Sequence, residues 1–263
     1  MLDEILAAVR DGIARQKRRV PLSDLEQMVR VRRQRRSLRQ ALSGRPFGII
    51  AEVKKASPSA GLIKKRYLPV VIARRYEREG ASAISVITCG PFFQGTVGHL
   101  RLVSTAVELP VLRKDFIVDE YQLFEAAANG ADAALLIARI LSAGELVRLA
   151  QCADKLGLEQ LIEVHDGEDI RKALRLPSWE TRILGFNNRN LDTLKTSLET
   201  TFHLKKMVAD DTIITVSESG ISESDQIARL YDAGIRGALV GYSLLTNTCI
   251  GELLRKVPGE QQS

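Results

Sequence analysis

Eight short apolar runs, which alternate with longer Ala- and Leu-rich stretches, constrain the fold of this chain more than any other feature of its sequence. The runs cover residues 47–53, 83–88, 111–116, 133–138, 158–164, 182–188, 212–218 and 237–243. Successive runs begin 22 to 36 residues apart, which leaves room for one helix and two loops each time. Strands that alternate with helices in this way form right-handed crossovers and a parallel sheet.

The number of repeats selects the architecture. Eight strand–helix units predict an α/β fold, a (β/α)8 TIM barrel with an N-terminal helical extension. Several helical stretches end in a glycine that suits a left-handed cap, as in "EREGASAI", "AANGADAALL", "DKLGLEQL" and "DAGIRGALV". A doubly wound sheet would normally carry a Gly-rich dinucleotide loop after its first strand, and "KKASPSAG" is not one. We therefore divide the chain into a basic extension, 1–46, packed on a catalytic barrel, 47–263.

The bulk composition is typical of a globular protein. The chain has 263 residues, of which 45% are hydrophobic, and no apolar run approaches the length of a membrane span. The N-terminus carries acidic residues early and lacks the pattern of a signal peptide, which favours a cytoplasmic protein without membrane contact. Cys89, Cys152 and Cys249 are too few and too scattered for a disulfide framework or a zinc site.

The positive charge is confined to the N-terminal extension. Residues 1–46 contain 12 basic and 5 acidic side chains, a net of +7, against +6 for the whole chain. The Arg-rich segment 15–39 suits contact with nucleic acid, or a solvated helix whose apolar side chains pack inward. Because no aromatic residue interleaves the arginines, the second interpretation is favoured and no nucleic-acid partner is expected. The inward side chains would be Leu25, Met28, Val31, Leu38 and Leu42.

Polar residues follow the apolar part of five predicted strands. In "GIIAEVKK", alternation places Glu52 and Lys54 on the same face of the first strand. The other polar residues at strand ends are Lys114, Glu163, Asn187, Arg189, Glu218 and Ser219. Unpaired Lys and Glu are rarely buried, because removing an ion from water is costly. Since the active site of a TIM barrel lies at the C-terminal ends of its strands, we expect these side chains to form one.

Glycines follow the last two predicted strands. Gly220, in "SESGIS", and Gly241, in "VGYS", leave backbone N–H groups open to an anion. The loops after strands seven and eight are the usual phosphate site of a TIM barrel, so a phosphorylated substrate is expected.

The residue types available at the strand ends limit the chemistry. The chain has 3 histidines, none in a metal-ligand spacing, and the strand ends contain no Ser/His/Asp set. Lysines and glutamates serve general acid–base catalysis, or Schiff-base formation at a barrel lysine. No metal is expected.

Seven motifs, in order along the chain from about residue 47 to 247, resemble the indole-3-glycerol phosphate synthase family of tryptophan biosynthesis. They are "EVKKASPSAG", "FFQGT", "LRKDFIVDEYQ", "LIEVH", "GFNNRNL", "SESGI" and "ALVGYSLL". "PLSDL" in the extension is also similar to that family. The resemblance implies closure of an indole ring on 1-(o-carboxyphenylamino)-1-deoxyribulose 5-phosphate, with loss of CO₂ and water and without a cofactor.

The resemblance also implies a role for each site residue. Lys114 would be the general acid at the carbonyl oxygen, and Glu163 a carboxylate that transfers protons. Glu52 and Lys54 would act in dehydration and hold substrate anions. The implied catalytic set is Glu52, Lys54, Lys114, Glu163, Asn187 and Glu218. The implied substrate-binding set is Ser57, Phe93, Phe116, Arg189, Ser219, Gly220, Gly241 and Tyr242, with Phe93 and Phe116 beside the aromatic ring.

The sequence departs from the usual family pattern at Cys89, Gly90, Pro91, Thr96, Phe186, Asn190, Tyr242 and Thr246. None of these replaces a proposed proton-transfer group, but they allow a paralogue that acts on a related phosphorylated substrate. The strand-end lysines also allow a Schiff-base lyase of the same fold, and the basic extension allows an inactive barrel whose arginines bind nucleic acid or a partner. A monomer or a homodimer fits each of these functions.

Overall fold

The computed structural model describes residues 1–30, 35–58, 60–90, 92–191, 193–246 and 248–259. The inward packing expected for Val31 and the altered loop position Pro91 lie outside the described residues. Part of the Arg-rich segment, 31–34, lies outside them as well.

Eight parallel strands close into a barrel, which confirms the predicted (β/α)8 TIM fold. The strands of the chain are β1 (Gly48–Val53), β2 (Ala56–Ser57), β3 (Gly61–Leu62), β4 (Ala83–Ile87), β5 (Val111–Lys114), β6 (Ala133–Ile137), β7 (Glu159–Val164), β8 (Arg182–Asn187), β9 (Thr215–Glu218) and β10 (Gly237–Val240). β4 to β10 follow β1 in order around the barrel, and β10 pairs back onto β1. β2 and β3 form a small antiparallel hairpin outside it.

Helices cover the outside of the barrel and precede its first strand. They are α1 (Leu2–Arg19), α2 (Leu22–Arg30), α3 (Leu38–Ser43), α4 (Pro69–Arg78), α5 (Val97–Ser104), α6 (Glu120–Ala128), α7 (Ala143–Lys155), α8 (Gly167–Ala173), α9 (Glu199–Lys205), α10 (Ser224–Asp232), α11 (Tyr242–Thr246) and α12 (Ile250–Leu254), with a 3-10 turn at Ala138–Ile140. The left-handed glycines expected after four helices are confirmed at Gly80, Gly130, Gly157 and Gly234. No helix of the described residues is both long and apolar enough to cross a membrane.

All eight barrel strands are shorter than the apolar runs that predict them, by two or three residues in β5, β9 and β10 and by one residue in the others. β10 ends at Val240 rather than at 243, because α11 begins at Tyr242. β5 ends at Lys114, because the Asp115 side chain accepts the backbone N–H of Phe116 and turns the chain. β9 begins at Thr215 rather than at 212. There the Asp210 carboxylate accepts both the N–H and the hydroxyl of Thr212, which holds 210–212 in a turn.

The extension closes the N-terminal end of the barrel. Leu38 and Leu42 of α3 are fully buried against side chains of the barrel interior, including Ile50 and Leu112. Gly48 makes room for this contact, since a Cβ there would lie 2.5 Å from Leu42 Cδ2. α3 thus fills the bottom of the barrel.

Three arginines of the extension contradict the expectation of a solvated helix. Arg35 donates to the carbonyl oxygens of Leu156 at 3.0 Å and Ala131 at 2.6 Å. Arg36 pairs with Asp132 at 2.8 Å, and Arg39 donates to the carbonyl oxygen of Arg182 at 2.6 Å. Arg35 and Arg36 lie in the non-helical stretch 35–37, which ends in the extended Ser37, whereas Arg39 lies on α3.

Met28 is a second correction. Its side chain is exposed rather than inward, whereas Leu25, three residues earlier on α2, is buried. The expectation of a single helical stripe from Leu25 to Leu42 is wrong, because 35–37 are not helical and α3 begins at Leu38. The division into two domains remains a prediction.

Candidate active site

A cavity of about 600 Å³ opens at the C-terminal ends of the barrel strands. All fourteen residues proposed from the sequence line it: Glu52, Lys54, Ser57, Phe93, Phe116, Lys114, Glu163, Asn187, Arg189, Glu218, Ser219, Gly220, Gly241 and Tyr242. The structure thus brings the whole set together, and their individual roles remain predictions.

Lys114 lies at the centre of the charged groups. Its Nζ is 3.0 Å from Glu163 Oε2 on β7 and 3.5 Å from Glu218 Oε2 on β9. Burial alone would lower the pKa of Lys114, but the carboxylates of Glu163, Glu218 and Glu52 outweigh burial and raise it. Lys114 is therefore an ammonium group that faces the cavity.

Glu163 and Glu218 share this lysine but hold protons differently. Burial raises the pKa of Glu163, whereas Lys114 and then His165 lower it, to about 2. Burial and the neighbouring charge of Glu163 raise the pKa of Glu218 to about 8. At neutral pH the first is therefore ionised and able to accept hydrogen bonds, and the second is protonated and able to donate one to a bound group.

Glu52 and Lys54 form the ion pair that strand alternation predicts. Lys54 Nζ donates to Glu52 Oε1 at 2.6 Å. Burial would raise the pKa of Glu52, but Lys54 and Lys114 lower it below its ordinary value. Gly241 of the neighbouring strand end gives the pair its space, because a Cβ there would collide with Glu52 Oε1 and lie 2.7 Å from Lys54 Nζ.

Gly185, in the interior of β8, is a site residue that sequence reasoning missed. A Cβ at this position would collide with Glu218 Oε1 and lie 3.1 Å from Leu161 Cδ1. The glycine in "RILGFNN" is the signal, since a glycine inside a strand often marks a close approach.

The end of β8 fixes the start of the next loop. Asn187 Oδ1 accepts the backbone N–H of Arg189 at 3.0 Å. Asn188, also missed, turns away from the cavity and is buried. Its Nδ2 donates to Ser217 Oγ and to the Ser219 carbonyl, both at 3.0 Å. Asn188 therefore ties the loop after β8 to the end of β9.

The two candidate phosphate loops follow β9 and β10. Ser219 and Gly220 are both left-handed, with φ of 71° and 78°. This conformation is unfavourable for the serine and costs of order 1–3 kcal/mol. Ser243 Oγ donates to the Ile221 carbonyl at 2.8 Å, which joins the second loop to the first. Tyr242, at the start of α11, is exposed on the rim of the cavity.

An apolar wall faces the charged groups. The ring centroids of Phe93 and Phe116 are 6.1 Å apart with an interplanar angle of 47°, within the range of aromatic pairs. Met1, together with Leu2 and Ile5 of α1, also lines the cavity, a contribution of the extension that the sequence reasoning did not foresee. The amphipathic start of α1 was the available signal.

The chain that builds this site is similar in sequence to one family of known proteins. The family model of indole-3-glycerol phosphate synthase matches residues 2–257. This chain belongs to the indole-3-glycerol phosphate synthase family.

Relatives of that family match over nearly the whole chain. A protein of Desulfotalea psychrophila named indole-3-glycerol phosphate synthase is 46% identical over 259 residues, 98% of each chain. One of Rhodopirellula baltica with the same name is 44% identical over 246 residues, 93% of each chain. A third, of Laribacter hongkongensis, is 40% identical over 258 residues, 97% of each chain.

A solved structure supports the fold alone. The N-acetylmannosamine-6-phosphate 2-epimerase of Clostridium perfringens aligns with a TM-score of 0.62 and 14% identity, over 81% of this chain and 93% of that one.

Two departures from the usual family pattern lie on the cavity wall. Of the described departures, Cys89 and Tyr242 line the cavity, whereas Phe186 packs into the layer between strands and helices.

The described residues contain no group of three or more His, Cys, Asp or Glu side chains arranged to hold a metal ion. The absence of a metal or organic cofactor remains a prediction.

Proposed function

We propose that this chain closes the indole ring of 1-(o-carboxyphenylamino)-1-deoxyribulose 5-phosphate and releases CO₂ and water. One observation carries the proposal: in a chain of this family, the Lys114 ammonium lies between an ionised and a protonated carboxyl group on the wall of a cavity. This arrangement supplies an acid, a base and a hydrogen-bond donor within a few ångströms.

The cavity wall complements each part of the substrate. The aromatic ring fits against Phe93 and Phe116, and the substrate carboxylate finds cations in Lys54 and Lys114. The phosphate is placed at the loops that contain Ser57, Gly220, Gly241 and Tyr242. Asn187, Arg189, Glu218 and Ser219 orient the chain of the substrate between these ends.

Ring closure begins at Lys114. As the aryl carbon that carries the carboxylate attacks the substrate carbonyl carbon, Lys114 protonates the carbonyl oxygen. A developing alkoxide is basic enough to take this proton from an ammonium group. The carboxylate then leaves as CO₂, and its bonding electron pair restores the aromatic ring.

Dehydration completes the indole. The new hydroxyl group leaves as water after protonation, and a proton is lost from the neighbouring carbon to form the ring double bond. Glu163 is ionised and accepts or relays protons, while the Glu52–Lys54 pair acts on the leaving hydroxyl. No electron acceptor is needed, since the step balances as loss of CO₂ and water.

The finer properties are also proposed. The activity needs no cofactor, and the protein is a cytoplasmic monomer or homodimer that does not bind nucleic acid. The Schiff-base alternative has no support from a specific contact, because β8 presents Asn187 where such lyases often place their lysine.

Incubation of the purified chain with the carboxyphenylamino deoxyribulose phosphate tests this function. We expect indole absorbance and fluorescence to appear together with one CO₂ per product, and both signals to be lost in Lys114→Ala. Binding of the substrate without indole formation would contradict the proposal. Borohydride trapping of a substrate adduct on a lysine would instead assign the Schiff-base chemistry.

A further inference from the structure

The side chain of His165 is buried, and the proposed reaction does not use it. The residue follows β7 directly, and its side chain is 4% exposed. His165 is not among the described residues that line the cavity. Its ring therefore lies behind Glu163 rather than on the surface that meets substrate.

The imidazole lies between two carboxylates. His165 Nε2 is 3.3 Å from Glu163 Oε1, and His165 Nδ1 is 3.7 Å from Asp169 Oδ2 on α8. Neither ring nitrogen has a partner of good hydrogen-bond geometry among the described residues. At 3.3 Å the first contact is already within reach of a hydrogen bond, so a rotation of the ring that aligns the N–H with Glu163 Oε1 is sufficient to form one.

Asp169 is fixed independently of the imidazole. Its carboxylate accepts the backbone N–H of His165 at 3.1 Å and pairs with Lys172 Nζ at 3.2 Å. Lys172 Nζ also donates to the Ala138 carbonyl at 2.6 Å. A rigid anion therefore lies on the far side of the ring and limits its rotation.

Glu163 has different partners on its two oxygens. Oε2 faces Lys114, while Oε1 faces His165. When Lys114 turns to the substrate oxygen, Glu163 loses its principal cation, and His165 remains as a donor that substrate does not compete for. His165 also lowers the pKa of Glu163, second among charged groups to Lys114.

We propose that His165 is a positioning residue, whose Nε2–H donates to Glu163 Oε1 and holds the other oxygen towards the reacting atoms. The proposal rests on the proposed function for its kinetic part only. Asp169 orients the imidazole from behind, so that a strand end and a helix start together aim one carboxylate.

Other charged groups also face this network, and they set the background for any pH profile. Glu163 is faced by Lys114 on β5, Glu218 on β9 and Glu52 on β1. His165 is faced by Asp169 and Lys172 on α8, and Asp166 beside it pairs with Arg139. Loss of the Nε2 donor raises the pKa of Glu163 and moves the acid limb of kcat/KM to higher pH.

Two substitutions of His165 distinguish the roles of its two ring nitrogens. The amide nitrogen of Gln reaches the position of Nε2, whereas the amide of Asn reaches only the position of Nδ1. We expect His165→Asn to lower kcat by at least about tenfold with KM changed less than about threefold, and His165→Gln to retain more of the activity. His203→Gln, at an exposed histidine of α9, is the matched control and leaves both constants unchanged.

A structural role for His165 gives a different order. If the ring only braced Asp169, Asn would serve as well as Gln or better. Equal or higher turnover for His165→Asn, an unchanged acid limb, or a rise in KM at constant kcat would each overturn the proposal.

Nitrogen-15 NMR of the intact chain tests the contact even if the chain has another activity. With 3 histidines, the His165 resonances are assigned by their loss in His165→Gln. We expect Nε2 to carry a proton and its resonance to move in Glu163→Ala. An unprotonated Nε2, or a resonance insensitive to Glu163→Ala, would overturn the proposal. Failure of the ring-closure assay with the unaltered chain would overturn the proposed function instead.

Discussion

Asp132, at the N-terminal end of the barrel, and Glu218, at its C-terminal end, are both buried acidic side chains, but their hydrogen bonding differs. At the N-terminal end, Asp132 accepts hydrogen bonds from the Arg36 side chain and backbone and from the Val111 N–H. At the C-terminal end, neither side-chain oxygen of buried Glu218 has a hydrogen-bond partner among the described residues. The two ring nitrogens of His165 also lack such a partner there.

The difference separates stability from function. A buried charge whose hydrogen bonds are complete holds the extension on the barrel and leaves no group open to a ligand. A buried ionisable group whose hydrogen bonds are incomplete costs stability, and native proteins often keep such groups at functional sites, where a ligand can complete the hydrogen bonds. If these two roles are separate, substitutions in the cavity should lower turnover, and substitutions at the opposite end of the barrel should lower only stability.

The largest effect is expected for Lys114→Ala. Removal of the ammonium takes away the acid at the carbonyl oxygen, so turnover should fall by at least about 10²-fold. The measurement is kcat with the carboxyphenylamino substrate. Near-normal turnover would remove Lys114 from the mechanism.

Glu52→Gln and Lys54→Met should each cause a severe loss of kcat/KM. Because the two groups are hydrogen-bonded at 2.6 Å, each variant leaves the other with an altered charge state. We therefore expect the double variant to be little worse than the worse single variant.

Lys55→Met is the control for that pair. Lys55 adjoins Lys54 in sequence but is not among the described residues that line the cavity. Its kcat/KM should stay close to that of the unaltered chain. Loss of activity at Lys55 with tolerance at Lys54 would contradict the assigned face of β1.

A smaller effect, on binding alone, is expected for Gly220→Val. Gly220 is left-handed, and a Cβ would collide with Thr196 Cγ2 as well as obstruct the anion site. KM for the phosphorylated substrate should rise by roughly tenfold, the equivalent of one weakened hydrogen-bond contact. An unchanged KM with a collapsed kcat would place the phosphate elsewhere.

Asp132→Ala should have no effect on the turnover of the folded protein. It breaks the buried pair with Arg36, so the free energy of unfolding should fall by about 3–5 kcal/mol. Urea unfolding and kcat, measured on the same preparation, check both statements. A fall in kcat without a loss of stability would erase the distinction between the two ends.

The sequence predicted the charged side chains that line the cavity, but not the residues behind them that hold them in position. Alternation places Glu52 and Lys54 on one face, and the strand ends bring Lys114, Glu163 and Glu218 to one edge, because both follow from local geometry. Gly185 and His165 were missed, since their importance depends on a side chain that reaches them from another strand or helix.

In the N-terminal extension, too, the sequence pattern did not predict contacts with distant parts of the chain. Its helical periodicity suggested one solvated helix, yet Arg35, Arg36 and Arg39 dock on carbonyls and carboxylates of the barrel. Nothing in "RRSLRQ" distinguishes an arginine that meets water from one that meets the open end of a barrel. That distinction requires the position of the acceptors.

The most direct test of the separation is the pH dependence of the unfolding free energy of Glu218→Gln relative to the unaltered chain. The pKa of Glu218 is raised from 4.5 to about 8 on folding, so the folded state keeps a proton that the unfolded state releases between these values. Stability from this group is therefore lost as pH rises through that window, and the variant does not share the loss. We predict that the variant gains stability relative to the unaltered chain from about pH 5 to pH 8, while its turnover falls. A stability difference that stays constant or reverses across this range would contradict the claim that the active-site cavity keeps Glu218 at the expense of stability.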